Sequence, residues 1–216
     1  MLSITLLVLL SQDPAVTVTA PPTMTEPRVM GGVLAPAALP AGTNALYGFV
    51  GAPELGAGYR QGFGGVMELE ARALFNLFQV SGLAEVGVKF CACRHERLTL
   101  AGGLALGLQF DSGARYIDSK NFAFVGLRPR LSAAMSYELT SLISVVGTAE
   151  LPLALSFSQG FELTPLLGAG VEFQLGGPFS LLVAGAGGLD AMREPLGVTQ
   201  YRGAWNARLG IGYRMF

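Results

Sequence analysis

Polar and apolar residues alternate along the chain from residue 63 onward with a period of two. In 98–110 the even positions are Leu98, Leu100, Gly102, Leu104, Leu106, Leu108 and Phe110, and the odd ones are Thr99, Ala101, Gly103, Ala105, Gly107 and Gln109. Successive side chains of a β-strand point to opposite faces, so this segment predicts a strand with one greasy face and one small or polar face. Seven further segments repeat the pattern. Glu68, Glu70 and Arg72 stand opposite Leu69, Ala71, Ala73 and Phe75, and Glu85 and Lys89 opposite Val86, Val88 and Phe90. Arg128 and Arg130 oppose Leu127 and Leu131, Glu150 opposes Leu151 and Leu153, and Glu162 and Glu172 oppose Phe161, Leu163, Val171 and Phe173. Ser180 and Ala184 oppose Leu181 and Val183, and Arg208 and Arg214 oppose Leu209, Ile211 and Tyr213.

The composition of the polar face decides where it points. A water-facing surface is dense in Lys, Glu, Thr and Ser, whereas this face is mostly Gly, Ala and Ser with isolated charges, as a crowded barrel interior requires. Its charges are Glu68, Glu70, Glu85, Glu150, Glu162 and Glu172 against Arg72, Lys89, Arg128, Arg130, Arg208 and Arg214. Buried ions are costly unless paired, so a set matched in sign suits the inside of a closed cylinder. Tight links near 79–82, 94–97, 138–141, 158–160 and 176–178 join the strands, and two longer polar loops fall at 111–120 and 190–202. Four strands separate those two loops, so they emerge at the same end. A further hairpin in 43–60, running out through Leu46–Val50 and back through Glu54–Arg60, raises the strand count from eight to ten; ten is favoured, with eight as the alternative. The pattern predicts an all-β, transmembrane, antiparallel up-and-down β-barrel over residues 43–216.

Composition sharpens this reading. Of 216 residues, 51% are hydrophobic, 30 are glycine and only 13% are charged, against about 25% charged in an average soluble domain. The longest charge-free runs, 29–53 and 173–189, are broken by Pro and Gly, so neither supplies the roughly 20 apolar residues of a spanning helix. A formal net charge of −1 leaves no basic footprint for nucleic acid. Residues 1–12 have the size of a signal-peptide apolar core and predict export. Residues 13–42, rich in Pro, Thr and Ala and without periodicity, read as an unstructured linker.

Cys91, Cys93 and His95, the only histidine, lie in Cys-Ala-Cys-Arg-His. Zinc sites usually need four ligands, and a bridge between cysteines two apart on a strand is strained. No metal or cofactor is expected, and the role of the cysteines stays open. No catalytic residue is assigned either: His95 falls in a tight link at the end away from the long loops, and Glu162 and Glu172 lie about 33 Å apart along one strand.

The chain ends Trp205-Asn-Ala-Arg-Leu-Gly-Ile-Gly-Tyr-Arg-Met-Phe216. This resembles the C-terminal strand of bacterial outer-membrane β-barrel proteins of the small, eight- to ten-stranded type. The resemblance implies integral insertion into the outer membrane and recognition by the barrel assembly machinery through Trp205, Leu209, Ile211, Tyr213 and Phe216. The family keeps an aromatic two residues before the terminal one, whereas Tyr213 is three before Phe216, which puts Phe216 out of phase unless a bulge intervenes. The expected partners are outer-membrane lipid, the assembly machinery during biogenesis and an envelope protein. The expected function is a structural or interaction barrel, anchoring envelope components, with a lumen filled by its own side chains. Two alternatives are a narrow ion or small-solute pore and a soluble calycin-like barrel holding an apolar ligand, which would need the greasy faces turned inward.

Overall fold

The computed structural model describes residues 33–35, 37–117, 120–158 and 160–215. The expected signal segment, residues 13–32 of the expected linker, and Phe216 lie outside them. The strands are β1 (Asn44–Ala52), β2 (Glu54–Phe63), β3 (Met67–Asn76), β4 (Ser81–His95), β5 (Leu98–Ser112), β6 (Ala123–Glu138), β7 (Ile143–Ser156), β8 (Phe161–Leu163), β9 (Leu166–Gly176), β10 (Phe179–Arg193) and β11 (Thr199–Met215). Pairing is antiparallel throughout, and β1 pairs with β11 from Asn44↔Met215 to Ala52↔Ala207, which closes the sheet. Closure leaves no free edge along the paired length.

β8 and β9 are two pieces of one wall strand. Both pair with β7 and with β10 in one unbroken register, Leu163↔Ala191 and then Leu166↔Gly188. Pro165 interrupts the ladder because it has no N–H to donate. The wall therefore has ten strands. Followed at right angles to the strands, Gly48 is level in turn with Ala57, Ala73, Ala84, Leu108, Leu127, Leu155, Phe161, Arg193 and Thr199. Ala207 faces Ala52 in the β1–β11 register, so Thr199, eight positions earlier, is level with position 60, twelve past the start. A stagger of this kind tilts the strands and leaves an interior that side chains can fill.

The greasy faces point outward. Leu104, Leu106 and Leu108 are each more than half exposed, while Glu68 and Glu172 are at most 1% exposed. This overturns the soluble reading with greasy faces inward: an apolar exterior around a charged interior is stable only where the surrounding solvent is lipid. No helix among the described residues is long and apolar enough to cross a membrane, so the crossing is made by strands. Exposed rings mark the ends of the wall. Phe179 and Tyr213 pair at 5.0 Å near the end where β11 finishes, and Trp205 lies toward the other end.

That end, the loop end, carries the connections at 53, 77–80, 113–122, 157–160 and 194–198. The opposite, terminus end carries 64–66, 96–97, 139–142 and 177–178. Two sequence expectations need correction. β10 and β11 continue well into the loop expected at 190–202, which shrinks to 194–198, because the lumen-facing Asp190 and Arg202 stabilise each other there. The last part of the expected linker is not loose: Val33, Ala35, Ala37, Ala38 and Leu39 are at most 2% exposed and sit inside the barrel. Their own small apolar side chains, and glycines on the wall, make that possible.

Candidate functional site

The lumen is occupied from the terminus end upward by three groups of side chains. The first holds residues 33–35 and 37–39. The Glu172 carboxylate accepts the backbone N–H of Val33, Leu34 and Ala35, the Leu34 contacts being 3.0 Å to each oxygen. Ser136 Oγ accepts the N–H of Ala37 at 3.0 Å, and Glu68 Oε2 that of Leu39 at 2.7 Å. Arg60 Nη1 donates to Val33 O at 2.9 Å, and Arg94 Nη2 to Ala38 O at 2.9 Å. An unordered segment placed in a lumen would bury unpaired amides; here fixed carboxylates and guanidinia take their place. The wall is thinned to receive it: a Cβ on Gly212 would lie 2.9 Å from Val33 Cβ, and one on Gly210 3.3 Å from Leu34 Cδ1.

The second group is an ion cluster across mid-barrel. Arg60 grips Glu68 with two prongs, Nε to Oε1 at 2.8 Å and Nη2 to Oε2 at 2.7 Å. Lys89 bridges Glu68 and Glu70, each at 3.2 Å. Arg130 reaches Glu85 at 2.6 Å, Glu150 at 3.4 Å and Glu70 at 3.6 Å, and Arg72 reaches Glu85 at 2.5 Å and Glu150 at 3.7 Å. Tyr47 donates its hydroxyl to Glu70 at 2.8 Å. The four cations Arg60, Arg72, Lys89 and Arg130 thus meet the four carboxylates Glu68, Glu70, Glu85 and Glu150. Strands β2, β3, β4, β6 and β7 supply them by the same period-two rule, so neutrality is reached across strands.

The third group lies toward the loop end. Glu54 pairs with Arg208 at 2.9 Å, and Arg208 lies over the Phe49 ring at 4.9 Å. Arg202 pairs with Glu162 at 2.9 Å and with Asp190, and Thr164 donates to Asp190 at 3.1 Å. Arg128 is half-buried and makes no ion pair among the described residues. Of these, Glu54, Arg128, Glu162, Thr164, Asp190 and Arg202 line a cavity of about 300 Å³.

The structure therefore brings together Glu68, Glu70, Arg72, Glu85, Lys89, Arg130 and Glu150, and places Glu162, Arg208 and Arg128 above them and Glu172 below. Arg214 lies low on β11, level with Ala45. Trp205, Leu209, Ile211 and Tyr213 all face outward on β11; Phe216 is outside the described residues. Cys91 and Cys93 are free and flank a bulge in β4. Among the described residues no group of three or more His, Cys, Asp or Glu is placed to hold a metal ion.

No family model matches the chain, and no curated protein does. Among solved structures it is similar to KdgM porin, at 12% identity over 81% of this chain and 99% of that one, with a TM-score of 0.42. KdgM porin in complex with disordered oligogalacturonate gives 10%, 81% and 99%, with 0.45. OmpT, an outer membrane protein of Vibrio cholerae, gives 9% over 75% of this chain, with 0.41. The chain spans 55% of that OmpT's length. The fold is an outer-membrane-type β-barrel, as the closed wall and its exposed leucines require.

Sequence pattern passed over four parts of the lumen. Tyr47 and Asp190 carried no charge signal or fell in an expected loop. Arg202 was likewise assigned to a loop. The segment at residues 33–39 has no periodicity, and its one usable sign was a charge-free run of small apolar residues immediately ahead of the first strand.

Proposed function

We propose that the chain is an integral outer-membrane barrel with a sealed lumen, a structural or interaction protein that anchors envelope components and is no conduit for solutes. The observation that carries this reading is the stack of the four-by-four ion cluster on the seated segment 33–39. The four cations and four carboxylates of the cluster pair with one another across five strands, and a ten-stranded barrel is narrow enough for side chains to close it. The longer loops then face outward and the tight turns inward, as in barrels of this type. Anchoring would run through the Pro- and Thr-rich sequence ahead of residue 33 and through the loops at 113–122 and 194–198.

Planar-bilayer recording tests it. The purified chain should insert without producing conductance steps. Reproducible steps in the wild type, altered by Arg130→Ala, would replace this reading with that of a narrow pore. One observation favours the pore: residues 33–35 are held by only two side chains, Glu172 on their amides and Arg60 on the carbonyls of Val33 and Leu34, so their release is a local event. Conduction would still require the ion cluster to open.

A further inference from the structure

The cavity of about 300 Å³ lies on the loop-end side of the ion cluster and shares none of its residues. Leu74 on β3 and Leu83 on β4 are level with each other, two positions nearer the loop end than the cluster residues Arg72 and Glu85, which pair in the same register. Both leucines are buried, at 8% and 6% exposure, and both line the cavity. Leu83 is directly opposite Gln109 on β5. Arg128 on β6 is level with Gly107, two positions from Gln109 on the same face. Across four adjacent strands the lumen wall therefore presents, in order, the apolar pair Leu74 and Leu83, the Gln109 amide and the Arg128 guanidinium. Directly opposite residues on neighbouring strands stand about 5 Å apart and diagonal ones about 7–8 Å, so one small molecule can touch all three kinds of group.

The polar groups of this row lack partners. Arg128 makes no ion pair or hydrogen bond among the described residues, whereas Arg60, Arg72, Arg130, Arg202 and Arg208 each pair with a carboxylate. Gln109 is 6% exposed; its Nε2 faces Glu162 at 3.4 Å, and its Oε1 accepts no hydrogen bond among the described residues. Asn206, on β11 across the lumen, lines the same cavity at 8% exposure, and its side chain makes no hydrogen bond among the described residues. Buried polar groups are ordinarily satisfied, so this set is short of a ligand. Charge decides what kind. The acids that line the cavity are Glu54, Glu162 and Asp190, and the cations that line it or pair with those acids are Arg128, Arg202 and Arg208. Three meet three, so a ligand of one sign would leave a charge uncompensated in a narrow lumen, while a zwitterion keeps the balance.

We propose that this cavity binds a free α-amino acid with an apolar side chain. The carboxylate lies on Arg128, the ammonium donates to Gln109 Oε1, and the side chain packs on Leu83 and Leu74. A carboxylate cannot donate to an amide oxygen, whereas an ammonium can, which fixes the orientation. The order of groups along the wall is the order of groups in the molecule. A volume of about 300 Å³ is at the small end of ligand pockets and suits a molecule of this size. The site lies to one side of the ion cluster, so it stands whether or not the lumen conducts.

Isothermal titration of the full chain in lipid nanodiscs tests the site with four probes: leucine, leucinamide, 4-methylpentanoate and glycine. Leucine should bind saturably, and the probes lacking the carboxylate, the ammonium or the side chain should each bind at least tenfold more weakly. Arg128→Gln should weaken leucine about tenfold, the usual worth of a charge-assisted hydrogen bond, and leave leucinamide unchanged. Gln109→Leu should weaken leucine and leave 4-methylpentanoate unchanged. Both variants are checked for heat-modifiable gel migration, and if one fails to assemble, the other decides. Absent or non-saturable leucine binding would mean that the cavity holds only water and would overturn the site. Equal binding of leucine and leucinamide by the wild type, or a uniform loss of all four probes in Gln109→Leu, would overturn the assigned contacts.

Discussion

Glu172 on β9 and Val33 ahead of β1 are 139 positions apart in sequence, yet the carboxylate of one accepts the amide of the other inside the barrel. Leu34 and Ala35 donate to the same carboxylate, so one acidic side chain organises three consecutive amides. Hydrogen bonds to a charged group contribute about 1.5–3 kcal/mol each. Glu172→Gln should therefore loosen the amides of residues 33–35 while Arg60 keeps the carbonyls of Val33 and Leu34 and the wall stays intact. Amide hydrogen exchange at residues 33–35 should speed up by about tenfold or more, with protection on β5 and β6 unchanged. Unaltered protection at residues 33–35 would show that the carboxylate does not hold them.

Gly212 tests the same contact from the opposite side. A side chain there collides with Val33 and comes within 3.1 Å of Ser180 Oγ. Gly212→Val should leave assembly near normal, since β11 gains a strand-favouring residue, but should expel Val33. The readout is a cysteine at Ala38, buried at 2% exposure in the native barrel, in a background where the free Cys91 and Cys93 are replaced by serine: slow to react with A38C alone, fast once G212V is added.

The ion cluster predicts a strongly asymmetric double-mutant cycle. Glu85 meets both Arg72 and Arg130, so Glu85→Gln leaves two guanidinia short of an anion at mid-barrel. Breaking a buried pair on one side costs about 3–5 kcal/mol, whereas removing both partners is far milder. Urea titration followed by gel mobility should show a large loss of stability for E85Q, a similar one for R130M, and a partial recovery in the double variant. Additive losses would mean that the cluster is wet and weakly coupled.

The outward face of β5 predicts opposite tolerances at adjacent residues. Leu104 is 56% exposed on the lipid side, and an Arg at the bilayer midplane of a barrel costs about 2–4 kcal/mol. Leu104→Arg should impair assembly, measured as the heat-modifiable fraction. Ala105→Ser, on the lumen side, should be mild. Equal effects at the two positions would contradict the direction of the wall.

How much of this was legible in the sequence follows from what period two reports. It assigns each residue of a strand to one of two faces, and the scarcity of Lys, Glu and Thr among the polar residues identified that face as an interior. Glu68, Arg72, Glu85 and Arg130 were accordingly placed in the lumen by position alone. Their partners were not, because an alternating pattern carries no register between strands: that Arg130 meets Glu85, 45 positions away, depends on how β3, β4, β5 and β6 slide past one another. Asp190 and Arg202 were hidden for a related reason, since polar residues near a strand end look like a loop until each has the other opposite it.

The alternation determined an all-β wall with one greasy face, because side-chain direction in a strand is a local property of the backbone, and the small, sparsely charged residues of the other face turned the oil outward. Closure at ten strands, the seating of residues 33–35 against Glu172 and the pairing of Arg130 with Glu85 were decided only by tertiary structure. Each depends on distances between segments far apart in the chain, and the alternation is silent about those until the sheet has closed and its register is set.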